Sequence, residues 1–203
     1  MQIIKHRINT KYGLVETNKS FGIEMDVRSR ENQIIVTHDP FDLDAELFED
    51  WLSEYRHGTL VVNVKEEGIE QRVCNTLKEF GVIDYFLLDQ SFPFMMKTLF
   101  TGEPRTAARL SDVESVETIF NLKGVSGFFP DWVWIDCFSG DWTHLEKIAS
   151  IKAFGIKTCL VSPELQGRNL ERELDQILGL FDLDDLDAVC TKNPDIWLER
   201  VRD

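Results

Sequence analysis

The sequence contains no apolar run long enough to cross a membrane as a helix. Its longest runs, such as residues 60–62 and 132–135, are of strand length, whereas a spanning helix needs about 20 apolar residues. The N-terminal residues also lack the apolar segment of a signal peptide. We therefore expect no stable membrane insertion and a cytoplasmic protein.

Basic residues and cysteine motifs are also scarce. The chain has 22 Lys and Arg against 36 Asp and Glu, a formal net charge of −14, and an acidic chain repels phosphate backbones and anionic lipid surfaces. This excludes nucleic acid as the expected partner. The four cysteines show no CxxC or CxxH spacing, so we expect reduced thiols rather than a zinc site.

Short β-branched or aromatic runs alternate with segments of helical periodicity from one end of the chain to the other. Runs that are apolar on both faces are typical of buried parallel strands. One run, 34–37, follows its predecessor after a polar turn and is expected to form a local ribbon. The remaining eight recur about every 25 residues, one βα unit each. The predicted strands are residues 3–5, 22–27, 34–37, 60–64, 85–88, 106–110, 133–137, 157–161 and 188–191.

Eight βα units without a linker or a shift in composition predict a single α/β domain over residues 1–203, a minimal (β/α)₈ TIM barrel. Amphipathic helices are predicted over 43–55, 69–80, 113–120 and 170–181. Gly81 and Gly155 stand where helices are expected to end, and Asn193-Pro194 is typical of the start of a short terminal helix.

Polar residues stand at the ends of the first strands, where the active residues of such barrels lie. Residues two apart on a strand point to the same side, so Glu24 and Asp26 are expected to lie close together, as are Asn63 and Lys65. Two such carboxylates repel unless a cation lies between them, and a hard divalent ion such as Mg²⁺ or Ca²⁺ suits oxygen ligands. The strand-end residues are His6, Arg7, Glu24, Asp26, His38, Asn63 and Lys65.

The same carboxylates could instead be neutralised by Lys65 or Arg7 in a buried ion network without metal. Two histidines at neighbouring strand ends favour the catalytic interpretation, because a histidine pair can serve as acid and base near neutral pH. Metal, histidines and cations at one end of a barrel together describe a site for phosphoryl transfer.

These residues resemble the signature of the glycerophosphodiester phosphodiesterase family, within the superfamily that includes phosphatidylinositol-specific phospholipase C. The resemblance rests on His6-Arg7, on the segment 22–28 and on the segment 36–40, with weaker likeness at Asn63-Val64-Lys65, at Ser91-Phe92 and over 188–195. It implies metal-dependent hydrolysis of a small, glycerophosphodiester-like substrate. It also implies His6 and His38 as acid and base, Glu24 and Asp26 with Asn63 as metal ligands, and Arg7 and Lys65 as phosphate ligands.

The chain departs from the family pattern at three places. Asn63 replaces a third metal carboxylate, which predicts weaker metal binding or recruitment of Asp89 or Asp136. Ile8 replaces the usual glycine after His-Arg. The family's capping insertion after the second histidine is missing, which predicts an open mouth and a different head group.

Two other functions are compatible with the sequence. One is a catalytically silent barrel that binds a phosphorylated metabolite or a protein partner, its metal site decayed at Asn63. The other is a metal-free lyase that stops at a cyclic phosphate. The pattern leaves the oligomeric state open.

Overall fold

The structure is a computed structural model that describes residues 1–202, and over these residues it contains ten strands and eight helices. The chain divides into two compact units. The N-terminal unit is Lys5–Glu103, and the C-terminal unit consists of Met1–Ile4 and the residues from Pro104 onward. The single-domain organisation of residues 1–203 stays a prediction. Within the described chain, no helix has both the length and the apolar character needed to cross a membrane.

The elements alternate along the chain. The strands are β1 (Gln2–Lys5), β2 (Gly22–Arg30), β3 (Gln33–Val36), β4 (Glu46–Leu47), β5 (Leu60–Val64), β6 (Tyr85–Leu88), β7 (Ala107–Leu110), β8 (Trp132–Ile135), β9 (Lys157–Val161) and β10 (Ala188–Thr191). The helices are α1 (Lys11–Glu16), α2 (Phe48–Leu52), α3 (Glu70–Glu79), α4 (Phe92–Phe100), α5 (Val116–Ser126), α6 (Ile148–Lys152), α7 (Leu170–Leu178) and α8 (Pro194–Arg202). Short 3₁₀ turns occupy Thr143–Lys147, Pro163–Gln166 and Leu183–Asp185.

The N-terminal unit is built on a sheet with the strand order β4-β3-β2-β5-β6. Strand β5 runs parallel to both β2 and β6, whereas β3 pairs antiparallel with β2 and with β4. The register places Asp26 opposite Asn63. The predicted ribbon is therefore confirmed as β3, and the polar ends of β2 and β5 lie side by side.

The C-terminal unit contains a sheet with the order β1-β10-β9-β8-β7, in which the pairs from β7 to β10 are parallel. Every residue of β8 and β10 is buried, as expected for strands covered on both faces. The eight predicted strands are present in the two units, which confirms the α/β class. Closure of these strands into a TIM barrel stays a prediction.

The core of the N-terminal unit holds the segment after β1 in place. Phe48 and Trp51 of α2 are fully buried among residues of β2, β3 and β5. The Trp51 indole Nε1–H donates to the carbonyl oxygen of Ile8 at 3.1 Å. The tryptophan therefore stabilises the fold and fixes the backbone that carries His6 and Arg7.

The prediction of a helix over 43–55 is wrong for residues 43–47. The structure has a turn after Pro40, then the short strand β4, and α2 begins only at Phe48. The Asp42 carboxylate accepts hydrogen bonds from the Thr37 hydroxyl and from the backbone N–H of Asp44. Such local bonds compete with a helix, while Leu43, counted on its apolar face, is 84% exposed.

Two further helices differ from the pattern. Helix α5 starts at Val116 rather than at 113, because the Ser111 hydroxyl accepts from the backbone of Val113 and Glu114 and Ser115 caps the helix. Helix α4 was not predicted, since its sequence is apolar at nearly every position and shows no periodicity.

Two glycines of α5 provide opposite tests of the backbone. Gly124 lies inside the helix and Gly127 ends it at φ +81°, and an added Cβ would meet nothing within 4 Å at either position. We expect Gly124→Ala to raise the free energy of unfolding by about 0.5–1 kcal/mol. Gly127→Ala should lower the free energy of unfolding by about 1–2 kcal/mol, because the left-handed backbone at this position is unfavourable for a residue with a Cβ atom. Urea unfolding checks both, and changes of equal sign would contradict this assignment.

Candidate active site

Asp26 and Glu24 form a buried carboxylate pair on β2, 0% and 1% exposed. Asp26 is held mainly by Asn9, whose Nδ2–H donates to Oδ2 at 2.8 Å and whose Oδ1 accepts the Asp26 backbone N–H at 2.9 Å. Lys65 Nζ lies 3.4 Å from Oδ1 and Arg7 Nε lies 3.7 Å from Oδ2. Two cations and one amide thus compensate the Asp26 charge.

Glu24 is less well compensated. Its Oε2 accepts the Arg7 backbone N–H at 2.6 Å, and its Oε1 accepts the Asn63 Nδ2–H at 3.1 Å. The His6 Nε2 atom lies 3.7 Å from Oε2. Burial, reinforced by the charge of Asp26, raises the pKa of Glu24 from its ordinary 4.5 to about 7. The two hydrogen bonds and Lys65 oppose this shift and do not cancel it.

The Asn63 side chain carries the third candidate oxygen for a metal ion. Its amide group donates to Glu24, and its Oδ1 atom is buried and receives no hydrogen bond from the described residues. Asp26 Oδ1 is also buried, with the Lys65 ammonium at ion-pair distance but not in hydrogen-bond geometry. Two carboxylates and one amide oxygen fit a hard divalent cation. Among the described residues no group of three or more His, Cys, Asp or Glu forms a metal cluster.

His38 follows β3 and borders a cleft of about 430 Å³ together with Arg7 and Asn9. Its Nδ1 atom lies 3.0 Å from Asp39 Oδ1, and this hydrogen bond lowers the pKa of Asp39. Arg28 fixes the backbone, because its guanidinium donates to the carbonyl oxygens of His38 at 3.0 Å and of Lys65 at 3.1 Å.

Two residues at the site have left-handed backbone conformations that side chains other than glycine rarely adopt. Arg7 has φ +54° and Asp89, which follows β6, has φ +57°. Asp89 Oδ2 accepts from Lys65 Nζ at 3.2 Å. Such conformations cost free energy and persist where the surroundings enforce them, which indicates that both side chains are held in position.

All seven predicted site residues belong to the N-terminal unit. The structure joins His6, Arg7, Glu24, Asp26, Asn63 and Lys65 through direct contacts. His38 shares a cleft with Arg7, and its role and those of the other six stay predictions.

The two acids considered as replacements for a third metal carboxylate have separate contacts. Asp89 contacts the site through Lys65. Asp136 lies in the C-terminal unit, where it binds Arg109 at 2.8 Å and Gln166 at 2.7 Å.

Sequence reasoning missed Asn9 and Arg28. Arg28 could have been found, because it lies two residues after Asp26 and so shares its side of β2. Asn9 stands in a loop without periodicity, where no spacing indicates a contact.

The raised pKa of Glu24 predicts a pH-dependent stability in the presence of EDTA. The folded protein holds the Glu24 proton more tightly than the unfolded chain, so this stabilisation is complete below about pH 4.5 and is lost as the pH rises through about 7. Glu24→Gln should therefore melt at a higher temperature than wild type above pH 7 and show little difference below pH 4.5. Glu54→Gln, an exposed site, is the charge-matched control. A difference that does not vary with pH would contradict the shift.

Sequence comparison gives no relatives: neither a family model nor a curated protein matches the chain. Structural comparison does. A glycerophosphodiester phosphodiesterase from Agrobacterium tumefaciens aligns with a TM-score of 0.65 and 17% identity over 100% of this chain and 99% of its own. A glycerophosphoryl diester phosphodiesterase from Parabacteroides distasonis aligns with a TM-score of 0.70 and 9% identity over 99% and 86%.

A further Agrobacterium tumefaciens protein, assigned as a glycerophosphoryl diester phosphodiesterase, aligns with a TM-score of 0.70 and 12% identity over 98% of this chain and 96% of its own. At such low identity the likeness concerns the fold. The chain therefore has the fold of these glycerophosphodiester phosphodiesterases.

Proposed function

We propose that the protein is a divalent-metal-dependent phosphodiesterase that hydrolyses a small, glycerophosphodiester-like substrate. The observation that carries the proposal is the set of unlike groups around Glu24 and Asp26: a histidine, two cations and an amide group that donates to Glu24. The oxygen of that amide accepts no hydrogen bond from the described residues. A buried ion network without metal gives no role to the histidine beside Glu24 or to the Asn63 oxygen. The shared fold of the phosphodiesterases supports the same conclusion.

The residues divide the work by chemistry. Glu24, Asp26 and the Asn63 amide oxygen would hold the cation, which when bound supplies positive charge to the phosphate oxygens. Arg7 and Lys65 would donate hydrogen bonds to the same phosphate group. In the absence of substrate, Asp89 orients the Lys65 ammonium. Asp26 orients the Arg7 guanidinium in the same way.

The two histidines would move the protons. One accepts the proton of the attacking water or substrate hydroxyl as its oxygen bonds to phosphorus, and the other gives a proton to the alcohol whose phosphorus–oxygen bond breaks. The Nδ1 contact of His38 with Asp39 orients its ring and leaves Nε2 available for this exchange. If a substrate hydroxyl attacks, the first product is a cyclic phosphate that water then opens.

The proposal is tested on His6→Ala and His38→Ala with bis(4-nitrophenyl) phosphate and glycerophosphodiesters in the presence of Mg²⁺ or Ca²⁺. Loss of a general acid or base should lower kcat at least about 100-fold with little change in melting temperature. His144→Ala, a histidine packed on Trp142 in the C-terminal unit, is the matched control. Full turnover in both site variants would refute the acid and base assignment.

Wild-type protein that binds phosphate but hydrolyses no diester would instead identify the silent barrel. Phosphorus NMR of the products separates hydrolysis from a reaction that ends at the cyclic phosphate.

Asn63→Asp tests the metal ligands without any turnover. A third carboxylate should tighten Mg²⁺ or Ca²⁺ binding by about tenfold or more, because ligand charge governs affinity at such sites. In EDTA the same variant should melt below wild type, since it adds a buried charge beside Glu24. Metal-dependent shifts of the melting temperature give the affinities. Glu24→Gln should weaken the response to metal, and an unchanged response in both variants would argue against this metal site.

A further inference from the structure

An exposed aromatic cluster lies at the edge of the C-terminal sheet where β8 and β9 begin. The Phe154 ring is 53% exposed, and its centroid lies 4.8 Å from that of Phe120 and 5.3 Å from that of Phe129. Phe128, next to Phe129 in the chain, and Val125, in the last turn of α5, are 47% and 67% exposed. Exposed apolar side chains gathered in one place mark interaction surfaces, so this cluster indicates a docking face.

The cluster contains no acidic side chain, although the protein as a whole is strongly acidic. Its side chains come from two segments, 118–130 and 147–163, which contain no Asp or Glu, whereas the chain has 36 and a formal net charge of −14. Two copies of so acidic a protein repel each other over most of their surfaces. This repulsion is reduced at the cluster, so a second copy can approach more readily here than over an average part of the surface.

One flank of the cluster carries lysines. Lys123 Nζ lies 4.8 Å from the centroid of the Phe129 ring, and Lys157 Nζ lies 5.1 Å from that of Trp132. Within the described chain neither lysine forms an ion pair. Asp131, which precedes β8, offsets one of the two charges, so this flank keeps a positive charge.

The other flank is the acidic loop before β10, residues 182–187. Its Asp187 is neutralised by Lys152, whose Nζ lies 2.7 Å from both carboxylate oxygens. The carboxylates of Asp182, Asp184 and Asp185 have no cation as a partner among the described residues. This flank therefore keeps a negative charge.

The strand order fixes how these features follow one another. Strand β10 pairs with β9, β9 with β8 and β8 with β7, all in parallel, so their N-terminal ends lie along one edge of the sheet. The acidic loop precedes β10, Phe154 precedes β9 and Phe129 precedes β8, while Lys123 belongs to α5, which packs against β7. Negative charge, aromatic surface and positive charge therefore succeed one another along this edge.

Such an order is complementary to itself. A two-fold rotation about an axis through the aromatic cluster places the lysine flank of one copy against the acidic loop of the other and brings the two clusters together. Interfaces between copies combine a core rich in aromatic residues with a polar rim. An anionic lipid surface fits less well, because the acidic loop at the same edge would repel it.

We propose that the protein forms a two-fold symmetric homodimer through this edge of the C-terminal unit. In the dimer Phe154, Phe128 and Val125 pack against the cluster of the second copy, and Lys123 pairs with Asp184 in the acidic loop of that copy. All candidate catalytic residues lie in the N-terminal unit, so this inference does not rest on the proposed function.

The test measures the association of the chain by sedimentation equilibrium at protein concentrations up to about 100 μM. Wild type should form dimers. Val125→Glu places an unpaired charge within the interface and should weaken dimerisation at least about tenfold. Val113→Glu is the matched control: it makes the same change at a valine that is 75% exposed and follows β7, at the opposite edge of the sheet, and should leave the dimer unchanged.

Charge reversal tests the identity of the partner. Lys123→Glu and Asp184→Lys should each weaken the dimer several-fold, because each sets like charges against each other between the two copies. The double variant Lys123→Glu/Asp184→Lys exchanges both signs, so its dissociation constant should return to within about threefold of the wild-type value.

A wild-type chain that stays monomeric overturns the proposal, whether or not it binds vesicles of anionic phospholipid. A dimer that survives in folded Val125→Glu, or that is lost equally in Val113→Glu, shows that the interface lies elsewhere and overturns it as well. So does a double charge reversal that dimerises no better than the single variants. If Val125→Glu fails to fold, Phe128→Ser decides in its place.

Discussion

Two carboxyl groups buried two residues apart on one strand are the constraint on which the site depends. Glu24 and Asp26 are almost fully removed from water, and an uncompensated charge there costs several kcal/mol. Compensation must therefore come from neighbouring elements. Asn9 and Arg7 approach from the segment after β1, Asn63 lies on β5, and Lys65 directly follows it. Satisfying the carboxylates thus fixes the positions of the groups that surround them.

The charge of Asp26 is compensated better than that of Glu24, and this difference bears on the chemistry of the site. Asp26 has two cations and a reciprocal amide pair, whereas Glu24 has hydrogen bonds from neutral donors and a raised pKa. A site built only for stability would gain by replacing Glu24 with an uncharged group. Retaining a poorly compensated carboxyl makes sense where an incoming cation completes its surroundings. Under the proposed function, a lower stability without metal would therefore accompany affinity for the metal.

The sequence predicted those parts whose signal is local or periodic. Short β-branched runs that are apolar on both faces indicated the buried strands, and the two-residue spacing of Glu24 and Asp26 places both on one side of β2. The turn over 39–45 escaped prediction because the bonds of Asp42 oppose the apolar spacing of Leu43 and Leu47. The role of Asn63 toward Glu24 depends on the register of β2 against β5, which is set by tertiary packing and has no trace in either segment alone.

Arg28 connects His38 and Lys65, to which the proposed function gives different roles. Its single planar guanidinium holds the backbone of His38, after the antiparallel ribbon, and of Lys65, after a parallel strand. The residue proposed to transfer a proton and the residue proposed to bind phosphate thereby share one support. Because both hydrogen bonds start from one planar group, they tie the backbone positions of His38 and Lys65 to each other. The spacing of these two segments is therefore set by one side chain as well as by the sheet beneath it.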